Sequence, residues 1–106
     1  MLEWTQKELL EQTEAEGSPF AVFMFTPFCG TCKLTERMLD IIMTMDPGLP
    51  LYKCNINFLP QVSRDWQIRS VPCIVLVEAG QAKKTIYQMK AVDDLYYQLS
   101  PLLTKK

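Results

Sequence analysis

Six consecutive apolar residues, Phe20-Ala21-Val22-Phe23-Met24-Phe25, stand between the breaker Gly17-Ser18-Pro19 and the pair Thr26-Pro27. A strand with one wet face would alternate apolar and polar residues, because successive side chains point to opposite sides of a sheet. An unbroken apolar run of this length is instead the pattern of a central, parallel-type strand covered on both faces. The chain must therefore supply helices to two sides of a sheet, which defines an α/β architecture.

The flanking sequence provides them. Thr5-Gln6-Lys7-Glu8 reads as a capping box and predicts a short helix to about Ala15 that packs Leu9 and Leu10. From Cys29 the period turns helical through Leu34, Met38, Leu39, Ile41, Ile42 and Met45, until Asp46-Pro47-Gly48 stops it. A second strand is expected over Leu51–Ile56, and a short helix from Pro60 to about Gln67. Cys73–Val77 reads as a third strand, Ala79-Gly80 as a hairpin turn and Lys84–Tyr87 as its antiparallel partner. Asp93-Asp94 open a last helix carrying Leu95, Leu99 and Leu102. The order implies a mixed central sheet flanked by helices on both faces, and right-handed crossovers place strand 20–25 beside strand 51–56.

At 106 residues, 48 % of them hydrophobic, the expectation is one domain over residues 1–106 that buries its own core without staples. Basic and acidic residues number 11 and 12 and are mixed along the chain, so no patch for nucleic acid or an anionic membrane is present. No window approaches the roughly 18 apolar residues of a membrane span, and Met1–Glu8 lacks a basic-then-apolar signal layout. A cytoplasmic location is expected.

In that compartment the four cysteines, Cys29, Cys32, Cys54 and Cys73, do not read as a disulfide framework. Histidine is absent, which removes a Cys/His dyad and the commonest metal ligand. Cys29 falls where the apolar strand gives way to a helix, and the unpaired amides and positive dipole end there favour an anion. A thiolate is such an anion, and a helix start lowers a cysteine pKa from about 8.5 into the range of about 3.5 to 7.5. Cys32 lies one turn on, within disulfide reach and able to donate its S–H to that thiolate. Cys29 is then the exposed nucleophile and Cys32 the buried resolving thiol. Pro27 and Phe28 stiffen and shield the approach, and Gly30 lets another backbone come close. Cys54 and Cys73 read as small buried strand residues. Met24, Met38, Met43, Met45, Trp4 and Trp66 read as packing.

Phe28-Cys29-Gly30-Thr31-Cys32-Lys33 resembles the thioredoxin motif Trp-Cys-Gly-Pro-Cys-Lys, and Ile68-Arg69-Ser70-Val71-Pro72 resembles the segment of that family that ends in a cis-proline. The likeness covers nearly the whole chain, with a first strand shortened to the few residues before Thr5. It implies the thioredoxin fold and a thiol–disulfide oxidoreductase acting on protein or small-molecule disulfides, recharged by an upstream disulfide reductase. It further implies a monomer that needs neither cofactor nor metal. Position by position, Pro72 packs against the thiols, the Val71 backbone pairs with an extended substrate segment, and Phe28, Gly30 and Thr31 meet the substrate. Lys33 and Lys53 modulate the thiols.

Three departures bear on mechanism. Phe23 replaces a buried aspartate that moves the resolving thiol's proton, which leaves Lys53 without its partner, free to snorkel outward or to stabilise thiolate. Thr31 replaces proline and brings a hydroxyl that either bonds a sulfur or caps a turn. Gln88 replaces a glycine of the substrate groove, expected to make it narrower or more polar.

Two other readings compete. Zinc or an iron–sulfur cluster on Cys29 and Cys32 with Cys54 and Cys73, or across a dimer, is weakened by the lack of a second close-spaced pair. A non-catalytic interaction module is opposed by the intact Cys29/Cys32 pair.

Overall fold

In the computed structural model, which describes residues 1–104, β2 (Phe20–Phe25) lies at the centre of a five-stranded sheet. The other strands are β1 (Leu2–Glu3), β3 (Leu51–Asn55), β4 (Cys73–Glu78) and β5 (Gln81–Ile86), in the order β1-β3-β2-β4-β5. β2 is parallel to β3, with Phe23 opposite Lys53, and antiparallel to β4. β1 runs parallel to β3 on one edge, and β5 closes the other as a hairpin.

Alternate residues of β2 build two cores. Ala21 and Phe23 join Leu51 and Ile74 on one side, where Leu39 and Ile42 of α2 (Gly30–Met45), Leu95 and Leu99 of α4 (Val92–Leu99), and Leu102 of α5 (Pro101–Thr104) cover them. Phe20, Val22 and Met24 join Cys54, Cys73, Val75 and Val77 on the other, under Leu9 of α1 (Gln6–Ala15) and Val62 of α3 (Pro60–Asp65). The doubly covered strand and its pairing with the strand that starts at Leu51 are thus as the sequence implies.

Thr5 and Glu8 form the capping box of α1, with Glu8 N–H donating to the Thr5 hydroxyl at 3.1 Å and Thr5 N–H to the Glu8 carboxylate at 2.9 Å. Trp4 stacks on Tyr52 at 3.8 Å and meets the Phe20 ring edge-on at 5.4 Å, which pins β1 to the sheet.

Several boundaries differ from expectation for local reasons. Ile56 leaves β3 for a 3₁₀ turn over Ile56–Phe58, and α3 ends at Asp65 because Gln67 takes a left-handed φ of 53°. β5 covers Gln81–Ile86 rather than Lys84–Tyr87: its first residues are exposed, and Lys83 is extra in the register between Leu76↔Lys84 and Val77↔Ala82, which erases the apolar alternation. Leu102 lies on α5, since Ser100-Pro101 interrupts the last helix. Met45 is 56 % exposed and is not core filler; the inward face of α2 is Cys32, Thr35, Leu39 and Ile42.

The hairpin turn matches the sequence. Ala79 and Gly80 have φ of 53° and 74°, positive at both positions as tight hairpins require. Gly80 is doubly constrained, because a Cβ there would run into the Thr13 carbonyl oxygen of α1. Gly80→Ala is expected to destabilise the fold by about 1–3 kcal/mol, whereas Ala79→Gly is not; thermal denaturation of the two variants measures the contrast.

Candidate active site

β2 ends at Phe25, the chain turns through Pro27 and Phe28, and α2 begins at Gly30, which leaves Cys29 as its N-cap residue with extended φ and ψ of −106° and 113°. The Cys29 sulfur takes the role an N-cap oxygen has elsewhere and accepts the Cys32 N–H at 3.1 Å. The Thr31 hydroxyl lies 3.3 Å from the same sulfur, so it bonds sulfur rather than merely capping a turn. Cys29 is half-buried, whereas Cys32 is 2 % exposed beneath it. Phe28 is fully exposed beside the pair, and a Cβ on Gly30 would meet nothing within 4 Å, so this surface is open.

The surroundings separate the two thiols. Partial burial alone would raise the Cys29 pKa, but hydrogen bonds from the thiol and amide of Cys32 and from the hydroxyl and amide of Thr31 outweigh it and hold Cys29 below the ordinary thiol value. Burial pushes Cys32 up to about 11, with help from its bond to Cys29 and the charges of Cys29 and Glu36. One thiol thus ionises more readily than an ordinary cysteine and the other less readily.

The Val71-Pro72 peptide bond is cis. Pro72 lines a groove of about 510 Å³ with Thr31, Leu34, Met38, Tyr87 and Met89, next to the thiol pair. The Tyr87 hydroxyl accepts the Arg69 N–H at 3.1 Å and its ring carries the Arg69 guanidinium at 4.6 Å, which fastens the loop before Pro72 to the end of β5. Gln88 is exposed while Tyr87 and Met89 on either side line the groove, so the wall is apolar there. The sequence reading missed Leu34, Met38, Tyr87 and Met89 as groove residues. No sequence signal separated them, because Leu34 falls in the same apolar helical spacing as the buried Leu39 and Ile42 and only the structure shows it 57 % exposed.

Lys53 corrects a sequence expectation: it has a partner. Its Nζ lies 2.8 Å from Glu36 Oε2, with the two side chains 22 % and 32 % exposed, and 5.7 Å from the centre of the Phe25 ring. Residue 53 faces the α2 side of β3, so a carboxylate on the helix reaches it although the opposing strand residue is Phe23. Lys33 sends its N–H to the Cys29 carbonyl at 3.2 Å while its side chain is exposed.

Cys54 and Cys73 are fully buried, and burial pushes both up to about 12. They belong to the α1/α3 core, with the sheet between them and Cys32, which lies in the α2/α4 core. The sheet therefore divides the four cysteines proposed as metal ligands, and among the described residues no three His, Cys, Asp or Glu side chains gather as a metal site requires. No helix of the described residues is long and apolar enough to cross a membrane.

Comparison with known proteins agrees with this geometry. The Thioredoxin family model matches residues 1–100. The thioredoxin-like protein YusE of Bacillus subtilis is 36 % identical over 92 residues, covering 85 % of this chain and 87 % of that one. A bifunctional thioredoxin reductase/thioredoxin of Mycobacterium leprae is 25 % identical over 103 residues, covering 96 % of this chain but 22 % of its own length. Mitochondrial thioredoxin 3 of Saccharomyces cerevisiae, in its oxidized form, superposes with a TM-score of 0.79 over 95 % of this chain and 94 % of that one, at 18 % identity. The family model over residues 1–100 and the relative at 36 % identity decide the matter: the chain belongs to the thioredoxin family and is a thiol–disulfide oxidoreductase.

Proposed function

We propose that Cys29 attacks and Cys32 resolves. The observation that carries the assignment is the asymmetry of the pair: the Cys29 sulfur accepts hydrogen bonds at the mouth of the site, while Cys32 is buried and bonded to it. The Cys29 thiolate attacks one sulfur of a substrate disulfide, and the other substrate sulfur leaves as a thiolate and takes a proton. Cys32, once deprotonated, attacks Cys29 in the mixed disulfide, closes the Cys29–Cys32 bond and releases the second substrate thiol. Two electrons pass to the substrate, and an upstream disulfide reductase returns them; a relative named as a bifunctional thioredoxin reductase/thioredoxin supports that partner.

Substrates are protein or small-molecule disulfides. An extended segment lies against the Val71 backbone and Pro72, with Phe28, Gly30 and Thr31 at its flank and apolar side chains received by Leu34, Met38 and Met89. Lys33 and Lys53 act on the charge around the thiols. The chain works as a monomer in the cytoplasm, where Cys54 and Cys73, buried in the α1/α3 core, remain thiols.

Cys32→Ser is expected to accumulate a mixed disulfide on Cys29 that survives denaturing electrophoresis without reductant, and Cys29→Ser to accumulate none; equal trapping by both would reverse or remove the roles. Alkylation of Cys29 is expected to rise with pH and level off below the range of an ordinary thiol, because the thiolate is the reacting form. Thr31→Val removes a donor to that thiolate and should slow alkylation at pH 7 by about threefold to tenfold, as the loss of one ordinary hydrogen bond implies.

A further inference from the structure

Cys32 is 2 % exposed and its pKa is pushed up to about 11, yet it must give up a proton before it can attack. The strand below offers no base, since Phe23 and Phe25 stack there at 5.8 Å. A carboxylate comes instead from α2. Glu36 follows Cys32 by four residues, which places it one turn along the same helix face. The other carboxylate of α2, Asp40, is exposed, as are Lys33 and Arg37. Glu36 is the half-buried one, and its negative charge is felt at the Cys32 sulfur.

Its position is fixed from the sheet. Lys53 stands opposite Phe23 on β3, reaches over the Phe25 ring at 5.7 Å and holds Glu36 Oε2 at 2.8 Å. Phe25 packs on the same core as Cys29 and Cys32, so ammonium, carboxylate and thiols share one side of the sheet. At 32 % exposure the Glu36 side chain touches the packed interior and water alike, a geometry suited to passing a proton outward.

We propose that Glu36, oriented by Lys53, is the proton acceptor for Cys32 in the resolving step. No hydrogen bond joins the Cys32 thiol to Glu36 in this structure, so the Cys32 S–H proton passes to the Glu36 carboxylate through one bridging water. The resulting thiolate attacks the Cys29 sulfur, the Cys29–Cys32 bond forms, and the bond between Cys29 and substrate breaks with its electron pair on the substrate sulfur. Glu36 then releases its proton through its exposed edge, and the departing thiolate is protonated. The inference rests on Cys32 being the resolving thiol.

A simple charge effect predicts the opposite behaviour, because removing a negative charge near Cys32 would ease its ionisation and speed resolution. The test is stopped-flow reaction of the reduced protein with less than one equivalent of 5,5′-dithiobis(2-nitrobenzoate), which releases one coloured thiolate when Cys29 attacks and a second when Cys32 resolves. In Glu36→Gln the first phase should stay within about twofold of wild type, while the second slows by about tenfold or more, the low side of what a positioned general base contributes. Added acetate should restore the second phase of the variant and leave its first phase unchanged, a rescue that a structural role would not give. A second phase that is unchanged or faster in Glu36→Gln, or a slowing that acetate does not relieve, overturns the proposal. Absence of the first phase in the wild-type protein would instead refute the assignment of Cys29 on which it rests.

Discussion

β2 is hydrogen-bonded along both edges, and every side chain from Phe20 to Met24 is buried, so the strand has neither an open edge nor a free face. That double confinement sets the rest of the structure. Residues 21 and 23 commit one face to α2 and α4, and residues 20, 22 and 24 commit the other to α1 and α3. A slip of one residue in the register would exchange these two sets, placing Phe23 under α1 and Met24 under α2. The strand's carboxyl end therefore reaches the surface at one fixed place, and Cys29 is delivered there as the first residue before a helix.

From that position the chemistry follows with few additional parts. An N-cap must accept a hydrogen bond from the first turn, and when the cap is a cysteine the acceptor is sulfur. The same turn carries Cys32 into the core, where desolvation works against ionisation. The difference between the two thiols thus comes chiefly from one helix start, half outside and half inside. The cis Val71-Pro72 bond and the Arg69–Tyr87 contacts complete the wall beside it.

Most of this was legible in the sequence because it is local. The uninterrupted run at 20–25, the change to helical period after Cys29, the capping box at Thr5 and the hairpin at Ala79-Gly80 are each written within a few neighbouring residues. What escaped depends on juxtaposition. Nothing near Lys53 in the chain announces Glu36; the pair exists because β3 turns residue 53 toward α2. The groove residues Leu34, Met38, Tyr87 and Met89 come from a helix and a loop that meet only in the fold. Apolar residues at helical spacing also overstated the buried face of α2, since Leu34, Ile41 and Met45 are exposed. The start of β5 was hidden because an exposed edge strand with an extra residue at Lys83 carries no apolar alternation.

The sheet that divides Cys29 and Cys32 from Cys54 and Cys73 also works as an insulator. Thiol–disulfide exchange needs a sulfur to approach the bond it attacks, and here a layer of hydrogen-bonded backbone stands between the two sets. Exchange of the surface pair with Cys54 or Cys73 would thus have to bring sulfurs together across the sheet, which ties it to local opening instead of to turnover. The protein can pass through repeated oxidation and reduction at its surface while two further thiols lie on the other side of the sheet, kept out of the circuit by that layer and by the burial that raises them.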